Sequence, residues 1–328
     1  MKFLAPLAVT CALATTALAG VDDTLDQYIL PGFDNFAKTT QALSTQATKT
    51  CRAKALRPAY QATYDAWMPV ADLRLGPSET GALSVAFWPD SRGFTGRTLA
   101  RLIAEKDPVA QDAEAYAEVS IAARGLLALE RLLFDPDLAD YRQGSYTCTL
   151  VTTIAADLDA QAHALARAWR NSYAGTLRSA GQPGNNTYLS ENEALRALYT
   201  QILSSLDFTA NQRLGRPMGS FERPRPARAE ARRSGRSLRN AVMAAEAAHG
   251  LATALADWDL PETDAAMAKL HEAASHISDP AFQDVTDPQA RLRVEVLQQA
   301  VHSLNEAIQV EIGARLGIAP GFNSQDGD

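Results

Sequence analysis

From Thr147 to Tyr173, and again over Ser190–Leu214, Arg225–Trp258 and Gln289–Leu316, apolar residues recur at three- and four-residue spacing in Ala-rich sequence. That period places them along one side of an α-helix, whereas a half-buried strand needs strict alternation. Alternating Val, Ile, Thr and Tyr runs are nearly absent, so the spacing predicts an all-α chain. Between Val109 and Phe134 the stripe Tyr116, Val119, Ala123, Leu126, Leu127, Leu133 predicts a further core helix. Helices of this length joined by short turns satisfy their apolar faces as antiparallel bundles. Their number exceeds one four-helix bundle, so two packed bundles are expected, divided at Gly181-Gln182-Pro183-Gly184-Asn185-Asn186. The first would span residues 20–180 and the second 187–328.

Four Asp-Pro pairs at Asp107, Asp135, Asp279 and Asp287 mark helix starts or turns, because Asp caps free N–H groups and Pro tolerates a first helical turn. Met68 to Gly96 resists the helical reading. It carries Pro69, Gly76-Pro77, Gly81, Trp88-Pro89 and Gly93 together with Asp72, Arg74, Glu79, Asp90 and Arg92. Long irregular segments within helical domains are either functional or structural loops with paired charges, and both readings stand at this point.

At the N-terminus Lys2 precedes an apolar run from Phe3 to Leu13 and the small-residue site Ala17-Leu18-Ala19. This pattern predicts a secretory signal peptide over residues 1–19, cleaved near Ala19, and a periplasmic or secreted mature chain. The run is too short to span a bilayer, and no other segment offers a transmembrane anchor. Cleavage removes Cys11 and leaves Cys51 and Cys148. In an exported protein that pair suggests one disulfide, with two buried thiols as the alternative.

The 328 residues hold 31 Lys plus Arg against 38 Asp plus Glu, a net charge of −7. The sign is wrong for general attraction to phosphate backbones, so nucleic acid is not an expected partner. Against this acidic whole stands the basic run Arg223 to Arg239. It could bind an anion or an acidic partner; the favoured reading pairs its arginines with internal carboxylates such as Glu130 and Glu230 at the seam between bundles.

Motifs for metal or nucleophilic chemistry are sparse. Glu246 and His249 lie three apart, half of a di-iron pattern that needs a second such pair. His271 and His276 are separated by five positions, so at about 100° per residue their rings diverge by about 140° and a zinc-protease site is set aside. His302 and Glu306 form one more helical pair, read as a solvated face. There is no Gly-x-Ser-x-Gly elbow and no phosphate-binding Gly-rich loop.

Three stretches, Leu73-Arg74-Leu75-Gly76-Pro77, Phe87 to Gly93 and Ala123 to Glu130, together resemble the imelysin-like family, also classed as M75 peptidases. The resemblance continues through Arg213 to Gly219, Glu230 to Ser237 and the C-terminal Gly321 to Asp328. It implies two related helical bundles with a site between them, in exported proteins often associated with iron uptake. The family signature is Gly-x-His-x-x-Glu, whose His and Glu form the proposed metal or catalytic pair. Here Gly125 and Glu130 are present, and Leu127 stands where the His belongs. Leucine neither ligates an ion nor moves a proton.

Carried over by resemblance, the expected ligand-binding residues are Arg74, Trp88, Asp90, Arg92, Gly125 and Glu130, with Glu230, Arg233 and Ser234 from the second half. Glu130 is the one retained metal candidate, expected to be buried and neutralised by an arginine. No cofactor is fixed by these residues; the resemblance offers iron or another divalent metal. The leading expectation is an exported, non-enzymatic binding protein of iron acquisition whose partner is a small ligand, a metal complex or an envelope protein. A metal-dependent M75-type peptidase and an envelope protein-interaction domain are the alternatives.

Overall fold

In the helix Leu30–Lys49, the residues Leu30, Phe33, Phe36, Ala37, Thr40, Leu43 and Ala47 are buried, the stripe that a 3.6-residue period dictates. A computed structural model describes residues 19–319. The expected signal peptide, its cleavage site and the Gly321–Asp328 motif lie outside these residues, apart from the first helical positions at Ala19. The stripe packs against the helices Ala53–Trp67 and Tyr146–Ala168, and both of these also touch the short helix Gly125–Phe134. Gly125–Phe134 is buried along nearly its whole length, so it forms the centre of this group rather than a wall.

A second group follows. Glu191–Phe208 packs on Ser237–Leu255 and on Pro288–Ile308, and Pro261–Ser275 covers the same two partners. Ser237–Leu255 also contacts the Met68–Val70 turn and the N-terminal turns Ala19–Asp23 and Thr24–Ile29, and so ties the groups together. Among the described residues there is no strand, only one isolated bridge between Ser220 and Arg223. The chain is an all-α helical bundle protein, and no helix among the described residues is long and apolar enough to cross a membrane.

Three sequence expectations are met closely. Tyr146–Ala168, Glu191–Phe208 and Pro288–Ile308 each extend through a π-turn, to Tyr173, Leu214 and Gly313 respectively. Asp107 and Asp287 cap the turns that begin at their prolines, and Asp279 accepts from Ala281 and Gln283 N–H in a tight turn. Asp135 follows the end of Gly125–Phe134 and opens the next turn, its side chain accepting from Asp137 N–H and its carbonyl from Leu138 and Ala139 N–H.

Three expectations need correction. Val109–Phe134 is not one helix. It breaks into the turns Pro108–Gln111, Ala113–Ala117 and Ile121–Ala123 before Gly125–Phe134, because Asp112 and Ser120 cap new turns and Gly125 takes φ +69°. A Cβ on Gly125 would lie 2.1 Å from the Val85 carbonyl oxygen, so only glycine allows this close crossing. Arg225–Trp258 is helical only from Ser237, its basic start being a looped strap with one short turn at Pro226–Arg228. The irregular Met68–Gly96 stretch does contain a helix, Ser78–Val85.

Two tethers, one half-buried and one buried, fix this arrangement. Cys51 and Cys148 form a disulfide across a sequence separation of 97, joining the turn after Leu30–Lys49 to the first turn of Tyr146–Ala168. Arg213, in the π-turn Thr209–Leu214, is 3% exposed and grips Asp72 at 2.8 and 3.0 Å and Glu230 at 3.0 Å. Tyr64 donates its hydroxyl to the same Glu230, and Phe208 lies under the guanidinium. Burial works against the Arg213 charge, but Asp72 and Glu230 outweigh it and the proton is held more tightly than in free arginine.

Arg213→Met leaves Asp72 and Glu230 buried without their cation, and should lower unfolding stability by about 3–5 kcal/mol in urea titration. Replacing Cys51 and Cys148 together by serine frees a long loop in the unfolded chain, and should lower stability by about 2–5 kcal/mol in the same measurement.

Candidate functional site

Glu130 projects from the central helix and is only 2% exposed, an expensive place for a carboxylate unless its oxygens are satisfied. The strap after Glu230 meets that need. Ser234 donates both its backbone N–H and its hydroxyl to Glu130 Oε1, each at 2.9 Å. Burial raises the Glu130 pKa above the ordinary glutamate value, while the Ser234 donors and the nearby Arg233 charge act in the opposite direction. Glu130 is therefore buried as expected, but among the described residues no arginine side chain forms an ion pair with it; Arg233 acts on it through its backbone N–H and its nearby charge. Arg233 is turned to Asp135 at 2.8 Å, a carboxylate it shares with Arg131 at 3.0 Å.

Beside this pair the segment Ala86–Gly93 wraps over the central helix. Asp90 accepts from the N–H groups of Phe94 and Thr95 at 2.8 and 2.9 Å and so caps the helix Phe94–Glu105. Trp88, joined to Pro89 by a cis bond, stands edge-on to Phe208 at 5.8 Å. The segment, the central helix and the strap enclose a cavity of about 460 Å³ with Leu127 and Glu130 among its lining. Its walls come from both groups of helices.

Of the residues expected at a common site, Trp88, Asp90, Glu130 and Arg233 line the cavity. Ser234 acts one step behind, through Glu130, and Gly125 serves the backbone crossing described above. Arg74, Arg92 and Glu230 are not part of the lining. Arg74 is anchored by its N–H to Gln201, beside the Arg213 cluster; Glu230 belongs to that cluster; and Arg92 is exposed. The favoured pairing of the basic run is thus half right. Arg236 and Arg239 both bind Asp65, and Arg233 binds Asp135, whereas Glu230 takes its cation from Arg213, outside the run.

Residues that the sequence reading did not single out also surround the space: Thr95, Arg97, Arg131, Arg216, Arg228 and Arg232. The density of arginine between Arg223 and Arg239 was the signal for two of them. Arg216 sits in the Arg213–Gly219 motif stretch, whereas nothing in the local pattern announces that Arg97 and Arg131 converge on the same space from two other segments.

The donor set does not suit a metal ion. Leu127 contributes no ligand, the Glu130 Oε1 lone pairs are taken by Ser234, and the remaining charged groups are mostly guanidinium ions. Among the described residues no three His, Cys, Asp or Glu side chains gather as a metal site. Glu246 pairs across helices with His271, and His249 with Asp264, so the Glu246–His249 motif is split between two contacts.

A helical protein with a cavity between two groups of helices is the class that fold and geometry define. The imelysin family model (peptidase M75) matches residues 29–308, and the chain belongs to that family. Iron-regulated protein A of Synechococcus elongatus is 23% identical over 319 residues, covering 88% of this chain and 83% of that protein. An imelysin-like protein from Psychrobacter arcticum 273-4 has a solved structure of the same fold, with a TM-score of 0.74 at 19% identity over 92% of this chain and 96% of that one. A candidate iron-regulated protein A precursor from Parabacteroides distasonis ATCC 8503 gives a TM-score of 0.70 at 16% identity, over 89% and 93% of the two chains.

Glu130→Gln keeps an acceptor for Ser234 and removes the buried charge. Because the folded-state pKa is raised, the stabilising effect of the wild-type group is present at low pH and is lost as pH rises through that raised value. Thermal melts should therefore show Glu130→Gln gaining on the wild type as pH increases from 4 to 8, whereas a constant difference would mean that the carboxyl does not titrate differently in the folded state.

Proposed function

We propose that this chain is an exported binding protein of the imelysin family, serving iron acquisition by holding a small ligand in the cavity between its two groups of helices. The observation that carries the reading is the cavity itself: three segments distant in sequence close on a space of about 460 Å³, the size of a small-molecule site. The names of the Synechococcus and Parabacteroides relatives, both iron-regulated proteins, supply the link to iron. The N-terminal charge and apolar pattern support export, and the Cys51–Cys148 bridge suits an oxidising compartment. In this reading residues 20–180 and 187–328 act as two bundles, with Trp88, Asp90, Glu130 and Arg233 facing the ligand and Ser234 holding Glu130 in place.

A peptidase is the weaker reading, because Leu127 replaces the motif histidine and the Glu130 Oε1 lone pairs are occupied. Ala227 lines the cavity and is exposed, so Ala227→Trp should fill the mouth without disturbing the core. Fractionation should place the wild-type chain outside the cytoplasm, and a deletion strain should grow poorly under iron limitation. Wild type should restore growth and Ala227→Trp should not; restoration by both would remove the cavity from the function.

A further inference from the structure

Six arginines line the cavity, against Asp90 and Glu130 as its only lining carboxylates among the described residues. Even with Asp90, Glu130 and the nearby Asp135 all fully charged, three guanidinium groups remain unbalanced. Asp135 is shared by Arg131 and Arg233, while Asp90 is committed to the N–H groups of Phe94 and Thr95. Arg216 finds only the neutral oxygens of Gln212 and Ser91, and Arg97 a backbone carbonyl. Among the described residues neither Arg228 nor Arg232 forms an ion pair.

Two donors in the wall have no acceptor. Arg232 Nε is buried without a partner, and so is the hydroxyl of Thr95, a residue only 6% exposed. A buried donor left unpaired costs about 1–3 kcal/mol, which a ligand acceptor would relieve. Burial lowers the pKa of Arg232, Arg131 and Arg216, and a neighbouring guanidinium lowers each further; the carboxylates Glu130 and Asp135 only partly offset this at Arg131 and Arg232, the mark of crowded positive charge.

We propose that the cavity takes a small oxyanion, a carboxylate or phosphate compound, with Arg228 and Arg232 gripping the anionic group and the Thr95 hydroxyl donating to it. Guanidinium forks match carboxylate and phosphate oxygens two at a time, and a partly enclosed low-dielectric space strengthens that match. The same field repels a bare cation. The inference rests on the cavity being the ligand site and assigns its chemical class: iron reaching this cavity would have to arrive inside an anionic complex.

Calorimetric titration of the full mature chain with citrate, with inorganic phosphate and with ferrous and zinc ions separately tests this. One of the two anions should bind at one per chain, which one binds telling carboxylate from phosphate chemistry, and rising salt should weaken the binding. Arg232→Gln and Arg228→Gln should each lose about tenfold in affinity and Thr95→Val about threefold, with helicity unchanged by circular dichroism. Arg293→Gln, exposed and remote from the lining, should bind as the wild type does.

Failure of both anions to bind, or binding that survives the Arg228→Gln, Arg232→Gln double variant, overturns the proposal, as does stoichiometric binding of a free metal ion lost in Glu130→Gln. If neither anion binds while Ala227→Trp still abolishes growth under iron limitation, only the oxyanion assignment falls. If an anion binds in an Arg232-dependent way while Ala227→Trp leaves growth intact, the oxyanion site stands and the iron-acquisition reading falls.

Discussion

Arg213 is the point from which the two groups of helices are held in register. Its guanidinium lies in a π-turn at the end of Glu191–Phe208, and it takes Asp72 from the segment after Ala53–Trp67 and Glu230 from the head of the basic strap. Buried ion clusters add little net stability compared with packed hydrocarbon, but they are intolerant of misplacement. Placing Glu230 fixes where Ser234 falls four residues later, and Ser234 is what satisfies Glu130. One buried cation thus sets the position of the wall on the far side of the cavity.

The cavity has Glu130 in its lining and Leu127 where the family signature has histidine. With Leu127 in the wall and guanidinium groups around the rim, the field inside is positive, although the chain as a whole carries a net charge of −7. Whole-chain charge describes attraction at long range; the local arrangement decides what can enter a space a few ångströms wide. The acidic composition is a poor guide to this interior.

The all-α class and several long helices were legible because apolar period and burial coincide there, as in Tyr146–Ala168 and Pro288–Ile308. The Val109–Phe134 stripe misled because periodicity does not register capping by Asp112 and Ser120, or a glycine forced by contact with Val85, a residue forty positions away. The site was legible where motif residues sit near one another in sequence: Trp88 with Asp90, and Glu130 by its place in the signature. Arg74 and Glu230 come from other motif stretches, and the chain's path takes Glu230 into the Arg213 cluster and Arg74 beside it, on Gln201. Arg97 and Arg131 come from segments with no common pattern, so their convergence belongs to tertiary structure alone.

Because the cavity is walled by segments from around residues 87–97, 127–131 and 216–233, it has no local precursor. The residues before Gly181 supply two of its three walls, and those after it the third. A chain cut in the turns near Gly181 would keep the 87–97 and 127–131 walls and lose Arg216, Arg228, Arg232 and Arg233, four of the six arginines of the lining.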